Sequence, residues 1–71
     1  MKLHYYPETD SLYIDLNSKP SVDSREIAEG LVIDFGADGN IVGIDIEHAS
    51  QKLDLNTLET TSLPALTARP S

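Results

Sequence analysis

Apolar and polar residues alternate with a period of two in three segments of this chain, 11–16, 31–35 and 41–47. Successive side chains of a β-strand point to opposite faces, so this period predicts strands with one buried and one solvent-exposed face. A helix would instead need apolar residues three and four positions apart. Two further strands are predicted at 2–6 and 22–28, the second with a bulge and with charges that suit a sheet edge.

Turn residues separate these strands. Pro7–Asp10 joins the first two strands, and Glu29-Gly30 and Asp38-Gly39 are hairpin signals. Connections this short favour antiparallel neighbours. We therefore predict an α+β fold in which residues 1–59 form one domain, a small antiparallel β-meander of four to five strands. One short C-terminal helix over 53–59 would cover a sheet face, and 60–71 would be a flexible tail.

Charge limits the partners that this chain can bind. The 71 residues include twelve acidic and five basic side chains and no cysteine, for a net charge of -7. The whole excess lies in residues 1–50, which hold ten acids and three bases. We expect no direct nucleic-acid or membrane partner, because both are polyanions that require a basic patch. The longest apolar runs are too short for a signal peptide or a membrane span, so the expected location is the cytoplasm.

A candidate interaction surface follows from the outward positions of the strands. The acids at these positions would meet a basic protein partner, and tyrosines are frequent in interfaces. Two tyrosines flank the first turn and are expected to stack across the hairpin. Two leucines of the tail could add an apolar contact. The candidate residues are Tyr6, Tyr13, Asp15, Asp34, Asp45, Leu63 and Leu66.

Enzyme motifs are missing from the sequence. No Gly-x-Ser-x-Gly elbow and no phosphate-binding loop occurs, so we assign no catalytic, cofactor-binding or metal-binding residues and expect no cofactor. His4 and His48 are the histidines of the chain and the candidates for acid–base chemistry. With Asp34 or Asp45 they define the enzyme alternative, a metal-binding domain or metal-dependent hydrolase.

Three stretches resemble a known family. Tyr6–Ile14, Gly30–Asp34 and Asp38–Ile46 together look like the small bacterial YuzE-like domains of unknown function. The resemblance implies a compact β-rich domain with a terminal helix and no catalytic residues, and a possible setting beside toxin-like genes. We therefore hypothesise a non-enzymatic interaction module, which could be antitoxin-like. The alternative is a structural domain that self-associates, for example as a homodimer.

Overall fold

Five antiparallel strands form one sheet in the computed structural model, which describes residues 1–64. The elements are β1 (Lys2–Tyr6), β2 (Ser11–Asp15), β3 (Asp23–Ala28), β4 (Leu31–Phe35), β5 (Ile41–Glu47) and a short helix α1 (Ala49–Lys52). Each strand lies within one residue of its predicted bounds. The alternation of side chains therefore located the strands correctly.

The strand order is β1-β2-β5-β4-β3, so the predicted meander is wrong. Strand β5 lies between β2 and β4, and the seven residues 16–22 carry the chain past them to β3. Strand β5 is rich in isoleucine, whereas β3 has the polar sequence DSREIA. A meander would put β5 at an edge and β3 inside the sheet. The observed order buries the apolar strand and exposes the charged one, as edge strands require.

Strand β3 contains the predicted irregularity. Its register against β4 shifts between Glu26 and Ala28, which leaves Ile27 as the additional residue of a β-bulge. All six residues of the strand are exposed. The Arg25 guanidinium lies 5.2 Å from the centre of the Phe35 ring, a cation–π contact that covers part of the apolar face near this edge.

The core is thin and lies on one face of the sheet. Within the described chain, its buried apolar residues are Leu12, Ile33, Val42, Ile46 and Ala49. The central pairing of β2 with β5 places Leu12 opposite Ile46. Ala49 of α1 has no exposed surface and packs with this pair. One apolar layer and one helical turn therefore supply most of the burial.

The helix begins earlier than predicted. It spans Ala49–Lys52 rather than 53–59, and Leu53 ends it in an extended conformation. The cause is a hydrogen bond between residues far apart in the chain, which the leucine spacing does not reveal. The carbonyl of Asp10, in the first turn, accepts a hydrogen bond of 2.8 Å from the amide of Ala49. Residues 53–59 form turns and irregular chain instead.

The predicted tail falls largely beyond the described chain. Residues 60–64 contain no helix or strand, and 65–71, with the candidate Leu66, lie outside the described residues. In the part of the chain that the structure describes, no helix has the length and apolarity needed to cross a bilayer.

Candidate interaction surfaces

The polar face of the sheet is organised in rows of directly paired residues. Paired residues of neighbouring strands point to the same face, so each row shares one surface. One row runs Lys2, Asp15, Gly43, Asp34 and Ser24 from β1 to β3, and the next runs His4, Tyr13, Asp45, Val32 and Glu26. Glu47 follows Asp45 on the same side of β5. We call this surface the acidic face, defined by Asp15, Glu26, Asp34, Asp45 and Glu47.

Tyr13 lies across the centre of the acidic face. Its side chain passes over β5 at Gly43, where a Cβ atom would overlap the tyrosine hydroxyl. The hydroxyl donates a hydrogen bond of 2.9 Å to Oδ2 of Asp34 on β4. The Ser24 hydroxyl of β3 donates to Oδ1 of the same carboxylate at 2.7 Å. A polar bridge thus spans four strands, and it depends on the absence of a side chain at position 43.

The pKa values on this face reflect burial and like charge. Burial of the Tyr13 hydroxyl, its hydrogen bond to Asp34 and the nearby carboxylates raise the pKa of Tyr13 to about 12. Partial burial, followed by repulsion from Glu47 and Asp34, raises the pKa of the Asp45 carboxyl. The sheet therefore holds Asp45 where its negative charge is unfavourable.

The carboxylates of the acidic face form no salt bridge within residues 1–64. Among residues 1–64 the salt bridge present joins Lys19 to Asp38 at 2.9 Å, in the loops at one end of the sheet. Lys2 is the one lysine or arginine in the two rows, and it forms no salt bridge to Asp15 within the described chain. Within the described chain, no salt bridge therefore neutralises the negative charge of this face.

Tyr6 occupies a different environment from Tyr13. The register pairs Tyr6 with Ser11 and Tyr13 with His4. Tyr6 stacks on His4 of its own strand, with ring centres 6.5 Å apart and planes 21° apart. The expected stack of Tyr6 on Tyr13 is thus replaced, because Tyr13 extends in the other direction to reach Asp34.

Asp10 forms a second polar cluster that sequence reasoning missed. Its carboxylate accepts hydrogen bonds from the Tyr5 hydroxyl at 2.6 Å and the Ser50 hydroxyl at 2.7 Å, and one from the Ser50 amide at 3.1 Å. These bonds, first from Tyr5 and then from Ser50, lower the pKa of Asp10. Asp10 has a φ of 55°, which aspartate tolerates in turns. That preference marks a turn residue but does not identify a partner forty positions away.

An apolar groove lies on the opposite face of the sheet. Its walls are the β1 and β2 residues Leu3, Tyr5, Leu12 and Ile14 and the following chain with Leu53, Leu55 and Leu58, around a volume of about 1040 Å³. We call residues 53–64 the leucine arm; they include the candidate Leu63, which is exposed. The candidate tyrosines and acids therefore share the polar face of the sheet, whereas Leu63 belongs to the leucine arm.

The part of the chain that contains the five strands matches a known protein family. A family model described as "Protein of unknown function (DUF2283)" matches residues 2–50, more than half of the chain. The chain belongs to the DUF2283 family. The match contains all five strands and both partners of the Asp10–Ser50 contact, and it ends before the leucine arm of this DUF2283 domain.

The other comparisons add no relative. The narrower YuzE-like resemblance is not confirmed by the family match, which supports a small domain of unknown function. No curated protein matches this chain. No solved structure matches this chain either.

Of the residues of the enzyme alternative, Asp34 and Asp45 lie close enough to repel each other. His4 lies on β1, whereas His48 follows β5 in a left-handed conformation with a φ of 54°. Within residues 1–64 of the DUF2283 domain, no group of three or more His, Cys, Asp or Glu side chains has an arrangement that could hold a metal ion.

Proposed function

We propose that this domain is a protein-interaction module whose acidic face binds a basic protein partner. The observation that carries the proposal is the set of five carboxylates on one sheet face, none of them in a salt bridge within residues 1–64. Charge of one sign on one surface accelerates association with an oppositely charged protein and fixes its orientation.

The raised pKa of Asp45 supports this role. Partial burial, followed by repulsion from Glu47 and Asp34, makes the Asp45 anion unfavourable in the free domain. A lysine or arginine of a partner placed among these carboxylates would relieve the repulsion on binding. Tyr13 adds a rigid ring to the same surface, and its hydroxyl is fixed on Asp34. The face therefore combines charge with an ordered aromatic side chain.

A matched pair of variants tests the location of binding. The probe is a fixed arginine-rich peptide, titrated by calorimetry into the full chain. D15N/D45N and E8Q/E59Q both raise the net charge from -7 to -5, but only the first pair changes the acidic face. We expect D15N/D45N to weaken binding at least about tenfold and to flatten its salt dependence. Equal weakening by both pairs would show that net charge alone governs binding, contrary to the proposal.

An antitoxin-like form of this function makes a narrower prediction. The partner would then be a small basic toxic protein encoded beside the gene of this domain. Coexpression of the wild-type domain with that protein should restore growth, and D15N/D45N should restore it less well than E8Q/E59Q. Restoration that is equal for both variants would contradict recognition through the acidic face.

A further inference from the structure

Residues 1–64 leave the apolar groove open. Leu3 and Tyr5 line it from β1 but remain 47% and 43% exposed, and Leu58 of the leucine arm is 75% exposed. All five residues of β1 are exposed. A contiguous set of exposed apolar side chains is typical of an interaction surface and not of a complete hydrophobic core.

The leucine arm is held to the body weakly. The amide of Leu53 donates to the carbonyl of Ala49 at 2.8 Å, which closes the helical turn. Beyond it, the hydrogen bonds of the described arm are local, from Asn56 and Thr57 to the carboxylate of Asp54. The arm therefore relies on apolar contact, which the groove of one chain supplies incompletely.

We propose that a second copy of this chain occupies the groove. The leucine arm of each copy would pack against β1 and β2 of the other across a two-fold axis. Such an interface is isologous, so one chain must carry both complementary parts. This chain carries a wall of strand residues, Leu3 and Tyr5, and an arm with exposed leucines, Leu55 and Leu58.

The charge distribution favours a second copy of this chain in the groove over an anionic membrane or a basic protein. Among the described residues, Asp54 is the one acid that lines the groove, and no lysine or arginine does. Packed sheets lie about 10 Å apart, and the two acidic faces would point away from each other, beyond the Debye length of about 8 Å. The charge of -7 on each chain therefore opposes dimerisation only weakly. The same charge would repel an anionic membrane, and it would attract a basic partner to the acidic face instead of the groove.

The size of the groove sets the expected affinity. Eleven residues line it. At about 27–40 Å² each, from about 800 Å² spread over about 20–30 residues in a standard interface, they bury about 300–440 Å² per copy, or about 600–880 Å² in total. This area is smaller than that of a stable interface and is typical of weak, transient contacts, so we expect a dimer with a dissociation constant in the high micromolar range. The proposal concerns the face opposite the acidic one and is independent of the proposed function.

Sedimentation of the full chain, from low micromolar to several hundred micromolar, tests dimerisation. We expect a reversible monomer–dimer equilibrium that high salt leaves intact or strengthens. L58S should raise the dissociation constant at least about tenfold. V22S is the control, because Val22 is 62% exposed near β3 and away from the groove. A monomer at all concentrations, or an equal effect of both variants, would overturn the proposal.

A second measurement locates the interface without disturbing it. The chain has no cysteine, so T60C or S18C carries a single paramagnetic label. Labelled chain is mixed with unlabelled, isotope-enriched chain, and amide signals are recorded. A label at position 60 should broaden Leu3 and Leu12 of the other copy, and one at position 18 should not. Broadening confined to β3, or none at concentrations where the dimer forms, would contradict this arrangement.

Discussion

Tyr13 on β2 and Asp34 on β4 are joined by a hydrogen bond of 2.9 Å although their strands are not neighbours. The bond passes over β5, where Gly43 leaves room for the tyrosine ring. This contact fixes an aromatic side chain and a carboxylate at the centre of the acidic face. It therefore links the stability of the sheet to the surface proposed to bind a partner.

Loss of the Tyr13 hydroxyl should destabilise the domain. In Tyr13→Phe the half-buried Asp34 carboxylate keeps its bond from Ser24 but loses one donor. We expect a loss of about 1 kcal/mol in the free energy of unfolding, measured by urea denaturation. Tyr6→Phe is the control, since Tyr6 is 49% exposed. A Tyr6→Phe effect as large as that of Tyr13→Phe would argue against a special role for this bond.

Alkaline pH should weaken the fold through Tyr13. Its folded-state pKa of about 12 lies above the ordinary value of 10.0, so the folded state favours the protonated hydroxyl. The resulting stabilisation is complete below pH 10 and is lost as the pH rises from 10 towards 12. The hydrogen bond to Asp10 also raises the pKa of Tyr5, so ultraviolet titration should show more than one late tyrosine ionisation, and Tyr13→Phe should remove the step near pH 12. Persistence of that step in the variant would assign it to another tyrosine.

A methyl group at position 43 should displace Tyr13. The added Cβ of Gly43→Ala would overlap the hydroxyl and Cζ of the ring. We expect a loss of about 1–3 kcal/mol in the free energy of unfolding. In a Tyr13→Ala background the same substitution should cost much less, because the two sites are coupled. Additive losses in this double-mutant cycle would show that the ring does not restrict position 43.

Asp10 should contribute to the acid sensitivity of the domain. Its pKa is lowered in the folded state by the bonds from Tyr5 and Ser50. The carboxylate therefore stabilises the fold above its unfolded pKa, and this contribution is lost as the pH falls below about 4. Unfolding measured between neutral and acidic pH should depend less steeply on pH in Asp10→Asn. Glu8→Gln, in the same turn, should retain the wild-type slope.

Asp45→Asn should make the domain more stable and a weaker binder. Partial burial and repulsion from Glu47 and Asp34 disfavour the Asp45 anion in the folded state. Its removal should raise the free energy of unfolding at neutral pH, by less than about 1 kcal/mol because solvent screens the charges around this half-buried site. Affinity for the arginine-rich peptide should fall at the same time. Lower stability together with unchanged affinity would contradict both parts of this prediction.

Local sequence pattern was sufficient to predict the strands and the composition of their faces. Leu12 and Ile14 had to lie opposite Tyr13 and Asp15, because successive residues of a strand point to opposite sides. The bulge of β3 followed from the spacing of its apolar residues. The position of the helix could not be read in this way, because a contact from the first turn to Ala49 and Ser50 decided it.

The sequence by itself determined a sheet of five strands with an acidic face and an apolar face, because alternation and turn chemistry act between near neighbours. Only the tertiary structure decided which strands lie side by side. The placement of β5 between β2 and β4 brought Asp15, Asp34 and Asp45 onto adjoining rows and opened the path of Tyr13 over Gly43. Such pairings join residues far apart in the chain. The strands pair in the order that buries the most apolar strand inside the sheet, and this differs from the order in which the turns connect them.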